Sequence, residues 1–120
     1  MSRLLVQIVT GPEIPTRVAL GLLVAKKALA EGHDVDVFFA GDGVNVLRPE
    51  TIDAGHGVGT GAFREHVDDL VAGGAGFYAS AMSSKARGVT PDTVGGLAVT
   101  FSAPTGLVEL IFGADRVLVY

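Results

Sequence analysis

Leu4-Leu5-Val6-Gln7-Ile8-Val9-Thr10 is a near-continuous apolar, β-branched run, and Asp34-Val35-Asp36-Val37-Phe38-Phe39-Ala40 repeats the pattern one helix later. Runs of this kind belong to strands buried on both faces, as in a parallel sheet. Between them, Gly11-Pro12-Glu13-Ile14-Pro15 reads as a turn and Thr16-Arg17-Val18 as the opening of a helix. Val18, Leu22, Ala25 and Leu29 recur at helical spacing, and Ala19, Leu23 and Ala30 widen the stripe. Lys26 and Lys27 complement the dipole near the helix end, and Gly32 suits its C-terminal cap. Strand, helix and strand make a βαβ unit, for which a right-handed crossover is expected.

Outward from that unit the alternation continues. Gly41-Asp42-Gly43 is a tight turn at the carboxyl end of the second strand, and Val44, Val46 and Leu47 belong to a short helix that stops at Arg48-Pro49. The glycines at 55, 57, 59 and 61 predict a mobile surface loop. Residues 62–71 form an amphipathic helix with Phe63, Val67, Leu70 and Val71 on one face, ended by Gly73-Gly74. Ala75 to Ala79 reads as the third strand. Thr90-Pro91-Asp92-Thr93 has the form of a helix cap and first turn, and Gly95-Gly96 breaks the chain. Leu97 to Phe101 fits a fourth strand. A helix then begins at Ser102 or Ala103-Pro104, with Leu107, Leu110 and Ile111 facing inward, and Arg116 to Tyr120 is the final strand. The pattern predicts one domain over residues 1–120, a three-layer α/β/α sandwich around about five mainly parallel strands.

The bulk composition narrows the function classes. A length of 120 residues suits a single domain. Apolar residues make up 48% and charged residues only 18%, below the roughly one quarter usual for globular chains. With a mean hydropathy of +0.46, part of the apolar content is expected at the surface, under subunit contacts. A net charge of −4 argues against nucleic-acid binding, which needs a basic face. The absence of cysteine excludes disulfides, thiolate catalysis, Cys-ligated zinc and iron–sulfur clusters. Val18 to Ala30, the longest apolar stretch, is broken by Lys26-Lys27 and is too short to span a bilayer. The N-terminus enters a strand without a signal-peptide pattern, so the expected location is the cytoplasm.

Chemistry is concentrated in Gly76-Phe77-Tyr78-Ala79-Ser80-Ala81-Met82-Ser83-Ser84-Lys85-Ala86-Arg87-Gly88. Here a strand empties into hydroxyls, helix-start amides and an arginine, at the sheet end where α/β proteins bind ligands. Ser80, Ser83 and Ser84 serve either to cap the following helix or, with Arg87, to hold an anion such as phosphate, sulfate or carboxylate. A serine is nucleophilic only beside a base, and the segment is not a Gly-x-Ser-x-Gly elbow. Asp42 reads first as a turn former and second as a holder of a ribose hydroxyl. Of the histidines, His33 follows a helix cap and is expected in solvent. His66 lies on a helix near Asp69, and His56 alone is placed to meet a ligand. These residues do not complete a metal site. Gly57-Val58-Gly59-Thr60-Gly61-Ala62 lacks the strand–turn–helix context of a dinucleotide fingerprint.

Leu4–Thr10 with Gly11-Pro12-Glu13, the alanine-rich helix to Glu31-Gly32-His33-Asp34-Val35, Gly41-Asp42-Gly43-Val44, Lys85-Ala86-Arg87-Gly88-Val89 and Ala114-Asp115-Arg116-Val117-Leu118 come in a characteristic order and spacing. Over nearly its whole length the chain resembles the DsrE/DsrF-like proteins of the DsrEFH-like sulfur-relay superfamily, as a cysteine-free member. The resemblance implies a compact α/β/α domain assembled as a trimer or hexamer. It also implies kinship with sulfur-relay proteins, which accept persulfide sulfur on a cysteine, and with small proteins of no assigned activity. In the family, cysteines often precede the Lys-Ala-Arg-Gly segment, and the matching positions here are Ser80 and Ser83. A serine hydroxyl cannot carry a persulfide. The expectation is therefore a cofactor-free cytoplasmic homo-oligomer with a pocket formed by Thr10, Asp42, Ser80, Ser83, Ser84 and Arg87. That pocket binds a small anionic ligand or a sulfur-relay partner protein, without thiol chemistry of its own. Two alternatives stand beside it: a hydrolase or acid–base enzyme using Ser83 or His56, and a structural subunit of a hetero-oligomer whose partner carries the cysteine.

Overall fold

The computed structural model describes residues 2–120. In chain order the elements are β1 (Arg3–Ile8), α1 (Pro15–Ala30), β2 (Asp34–Phe39), a 3₁₀ segment (Gly41–Leu47), α2 (Pro49–Ala54), β3 (His56–Gly57), β4 (Gly61–Ala62), α3 (Phe63–Ala72), β5 (Gly76–Ser80), α4 (Ala81–Arg87), β6 (Thr100–Ser102), α5 (Pro104–Gly113) and β7 (Arg116–Val119). Five strands form one sheet in the order β6-β5-β2-β1-β7, and every neighbouring pair in it is parallel. The chain therefore walks from β1 to one edge, then returns through α5 to add β7 at the other.

The two faces of the sheet differ. Val6, Ile8, Val37, Phe39, Phe77 and Ala79 point to the face covered by α1 and α3, and pack there with Val18, Leu22, Phe63 and Leu70 in one core. Proline in the first turn of α1 costs nothing, because the missing N–H has no intrahelical acceptor there. On the opposite face, Leu5 and Phe38 are buried and Phe38 stacks on Tyr78 with ring centroids 6.4 Å apart. Of the helices, α5 lies against this side, touching β1 and β6. It buries none of its own residues completely.

The structure departs from the sequence expectation in four places. The glycine-rich stretch is a small hairpin, β3 with β4. It is tied down by the Val58 N–H, which donates to Thr16 Oγ1 at 3.0 Å. His66, read from the sequence only as lying near Asp69 on a helix, is buried; its Nε2 lies 2.6 Å from the Thr60 carbonyl oxygen at the hairpin, and Asp69 pairs with Lys26 at 3.1 Å. The fourth strand is short and shifted: its pairing with β5 begins at Thr100, opposite Tyr78. Thr90–Thr93 closes a capping box on a single 3₁₀ turn and does not continue into a helix. Among the described residues, no helix is long and apolar enough to cross a membrane.

Candidate functional site

The carboxyl ends of β2 and β5 are neighbours in the sheet, so the segments that leave them meet. β2 runs through Ala40 into the 3₁₀ segment. Gly43 in that segment packs against the end of β1, where a side chain would collide with the Ile8 carbonyl. β5 ends at Ser80, the N-cap of α4, whose Oγ accepts from the Ser83 N–H at 3.1 Å. Ser83 joins the two segments, because its Oγ accepts from the Gly41 N–H at 2.9 Å.

Arg87 reaches back over this junction. Its Nε and Nη2 donate to Asp42 Oδ1 at 3.1 and 3.0 Å, and Nη1 donates to the Ser83 carbonyl at 3.2 Å. The Arg87 side chain is 32% exposed, against 59% for Asp42, so the guanidinium forms a wall of the crevice and the carboxylate its rim. At the end of α4, Gly88 takes a left-handed φ of 68°, and Arg48 Nη2 donates to the Arg87 carbonyl at 2.6 Å.

The expected site residues are therefore only partly assembled. Asp42, Ser80, Ser83 and Arg87 come together. Ser84 is turned into the protein, and its Oγ is buried without a hydrogen-bond partner. Thr10 faces the other neighbour of β1: its Oγ1 donates to the Tyr120 carbonyl at 3.1 Å. His56 is exposed and lines a separate cavity of about 370 Å³ with Pro12, Pro15, Glu50 and Thr51. No hydrogen bond joins Ser83 to a histidine among the described residues, so a serine–histidine pair is not formed. His33 is tied to β1, accepting from the Ser2 N–H at 3.2 Å.

Two contributors escaped the sequence reading. The Gly41 amide has no side chain to signal it, and Arg48 precedes a proline and reads as a surface residue. The resolved shift in charge chemistry lies away from the crevice. Hydrogen bonding to Asp53, with Asp68 assisting, raises Arg64 above the usual guanidinium value against the opposing effect of burial, clipping α3 to α2. Among the described residues, no cluster of acidic, histidine or cysteine side chains could hold a metal ion.

This arrangement, a parallel sheet with a serine-capped helix after β5, can be placed among known proteins. The DsrE/DsrF-like family model matches residues 2–120. The chain belongs to the DsrE/DsrF-like family. Solved structures carry the same fold. The ychN protein from E. coli superposes with a TM-score of 0.81 at 18% identity, covering 100% of both chains. A protein of unknown function from Methanobacterium thermoautotrophicum, MTH1491, gives 0.75 at 20% identity, again covering 100% of both. A conserved protein of unknown function from Bacteroides thetaiotaomicron, BT1422, gives 0.73 at 14% identity, covering 99% of this chain and 95% of that one. No curated protein matches the sequence significantly. Within the family, this DsrE/DsrF-like chain is a member without cysteine.

Proposed function

We propose that this DsrE/DsrF-like chain is a cytoplasmic, homo-oligomeric binding protein that holds a small anionic ligand between the 3₁₀ segment and α4, without thiol chemistry of its own. The observation that supports this reading most is the disposition of donors around Arg87. Ser80 Oγ and Ser83 Oγ each accept a backbone N–H, which leaves their own protons to donate. Both hydroxyls belong to the segment that Arg87 folds back over, and its guanidinium, half-buried, is a group suited to oxyanions. Asp42 engages that guanidinium through one oxygen and so acts as a built-in competitor that an incoming anion displaces.

Titration with sulfate and with phosphate, followed by NMR or calorimetry, tests this. Arg87→Ala should weaken binding at least about tenfold, and Asp42→Asn should tighten it about threefold to tenfold, on the order of 1 kcal/mol. Unchanged affinity in Arg87→Ala overturns the reading. The serines at Ser80 and Ser83 favour a second reading, a relay subunit whose partner protein supplies the cysteine. A folded wild-type chain that ignores both anions would move the weight there.

The oligomer part of the proposal, a trimer or hexamer, is supported by α5. Its Phe112 is 86% exposed and Val108 is 50% exposed, and its sequence is almost wholly apolar. Such a surface is a normal subunit contact and an abnormal solvent face.

A further inference from the structure

The two edges of the sheet are protected unequally. β6 is three residues long, carries Thr100 and Ser102, and runs into Ala103-Pro104, which are the usual devices that blunt an edge. β7, Arg116-Val117-Leu118-Val119, is one residue longer and carries no proline. All four residues are exposed, its register with β1 is unbroken by a bulge, and Arg116 is its sole charge. An apolar edge of this kind pairs with another strand unless something covers it.

Its hydrogen-bonding groups can be assigned. Tyr120 turns both of its backbone groups toward β1: its N–H donates to the Gln7 carbonyl at 2.8 Å, and its carbonyl accepts from the Val9 N–H at 3.1 Å. Alternation along a parallel strand points the groups of Leu118 the same way, and points the N–H and C=O of Val117 and Val119 outward. The outward pairs thus flank Leu118 symmetrically. We infer that β7 pairs antiparallel with β7 of a second copy of this chain about a two-fold axis through Leu118, joining the two sheets into one.

Several features favour a second copy over a foreign strand. In that register Val117 exchanges both hydrogen bonds with Val119 of the second copy, and Val119 with its Val117. Each strand therefore satisfies the other's outward groups, and a two-fold contact closes both edges at once. Leu118 meets Leu118, and Arg116 falls opposite Tyr120. Beside the same edge, Ile14, which precedes α1, and Leu20 of α1 line a groove of about 520 Å³ with Thr16, Arg17, Val119 and Tyr120. Ile14 and Leu20 are both exposed, and a two-fold mate brings its own copies to cover them.

The inference rests on the homo-oligomer reading and adds the contact that reading left open; of the trimer and the hexamer it requires the hexamer, because a three-fold ring contains no two-fold axis. The absence of cysteine makes its test clean. At a non-hydrogen-bonded antiparallel pair the Cα atoms lie about 4.5 Å apart, within the range of about 4.4–6.8 Å that a disulfide bridges. Leu118→Cys, oxidised and examined by native and denaturing mass spectrometry, should convert to a covalent dimer. Val58→Cys, on the exposed tip of the β3–β4 hairpin, should not under the same conditions. Val119→Lys, which leaves the bonds to β1 in place, should halve the native mass while circular dichroism stays unchanged. If wild type is multimeric but Leu118→Cys stays uncrosslinked, or crosslinks no faster than Val58→Cys, the edge pairing is wrong and the oligomer reading survives. If Val119→Lys keeps the full native mass, the pairing is likewise overturned. A wild-type monomer at micromolar concentration overturns both, and a foreign peptide retained on β7 would replace the second copy as its occupant.

Discussion

Ser84 is 1% exposed and its hydroxyl has no partner, whereas Ser80, four residues earlier, caps α4 through its oxygen. One residue type thus carries opposite energetics within a single helix. A buried hydroxyl without a partner costs about 1–3 kcal/mol of lost solvation, while an N-cap serine contributes about 1 kcal/mol. Ser84→Ala should therefore leave stability unchanged or raise it by about 1 kcal/mol, whereas Ser80→Ala should lower it by about as much. Urea unfolding of the two variants checks this, and a Ser84→Ala loss larger than that of Ser80→Ala would contradict it. The run of serines was plain in the sequence. Which of them faced the crevice was not, because α4 begins one residue after Ser80 and its rotation is set by packing against the 3₁₀ segment.

At the scale of elements, α4 has seven residues and would not persist alone, since a helix that short does not repay its nucleation. It is fastened at both ends: by the Ser80 cap, by the left-handed Gly88, and by Arg48 on its last carbonyl. Arg48 reaches it from the boundary between the 3₁₀ segment and α2, so it also fixes the distance between the two walls of the crevice. Arg48→Ala should cost about 1.5–3 kcal/mol, the range for a hydrogen bond to a charged group, and should speed amide hydrogen exchange across α4 more than across α1. Uniform exchange throughout the chain would mean that Arg48 serves global stability only. The serines, read as caps, indicated that a helix follows β5, but the long-range fastening from Arg48 left no local pattern to read.

At the scale of the whole molecule, the sheet has one deeply covered face and one covered by α5 alone. The first holds the core of α1 and α3. The second relies on a helix with no fully buried residue, and Val108 and Phe112 of that helix are part of the apolar surface the chain leaves exposed. Phe112→Asp should accordingly leave the unfolding midpoint of the isolated chain nearly unchanged while lowering the native mass measured by light scattering. An unchanged mass would remove α5 from the subunit contacts. Composition predicted apolar residues at the surface; the topology, with β7 returning to the far edge through α5, decided that Val108 and Phe112 are among them.

Hydrophobic patterning is local, and local pattern was enough to determine the βαβ start, the five strands of the main sheet, their parallel arrangement and the serine-bearing end of β5. The order of motifs from Leu4 to Leu118 was enough for the family. What needed the tertiary structure were contacts between residues distant in sequence. These include the pairing of Arg87 with Asp42, the capture of the Gly41 amide by Ser83, the turning of Thr10 toward Tyr120, and the anchoring of the glycine hairpin by Thr16 and His66. Each depends on which strand ends become neighbours, and that follows from sheet order, which no single stretch of sequence encodes.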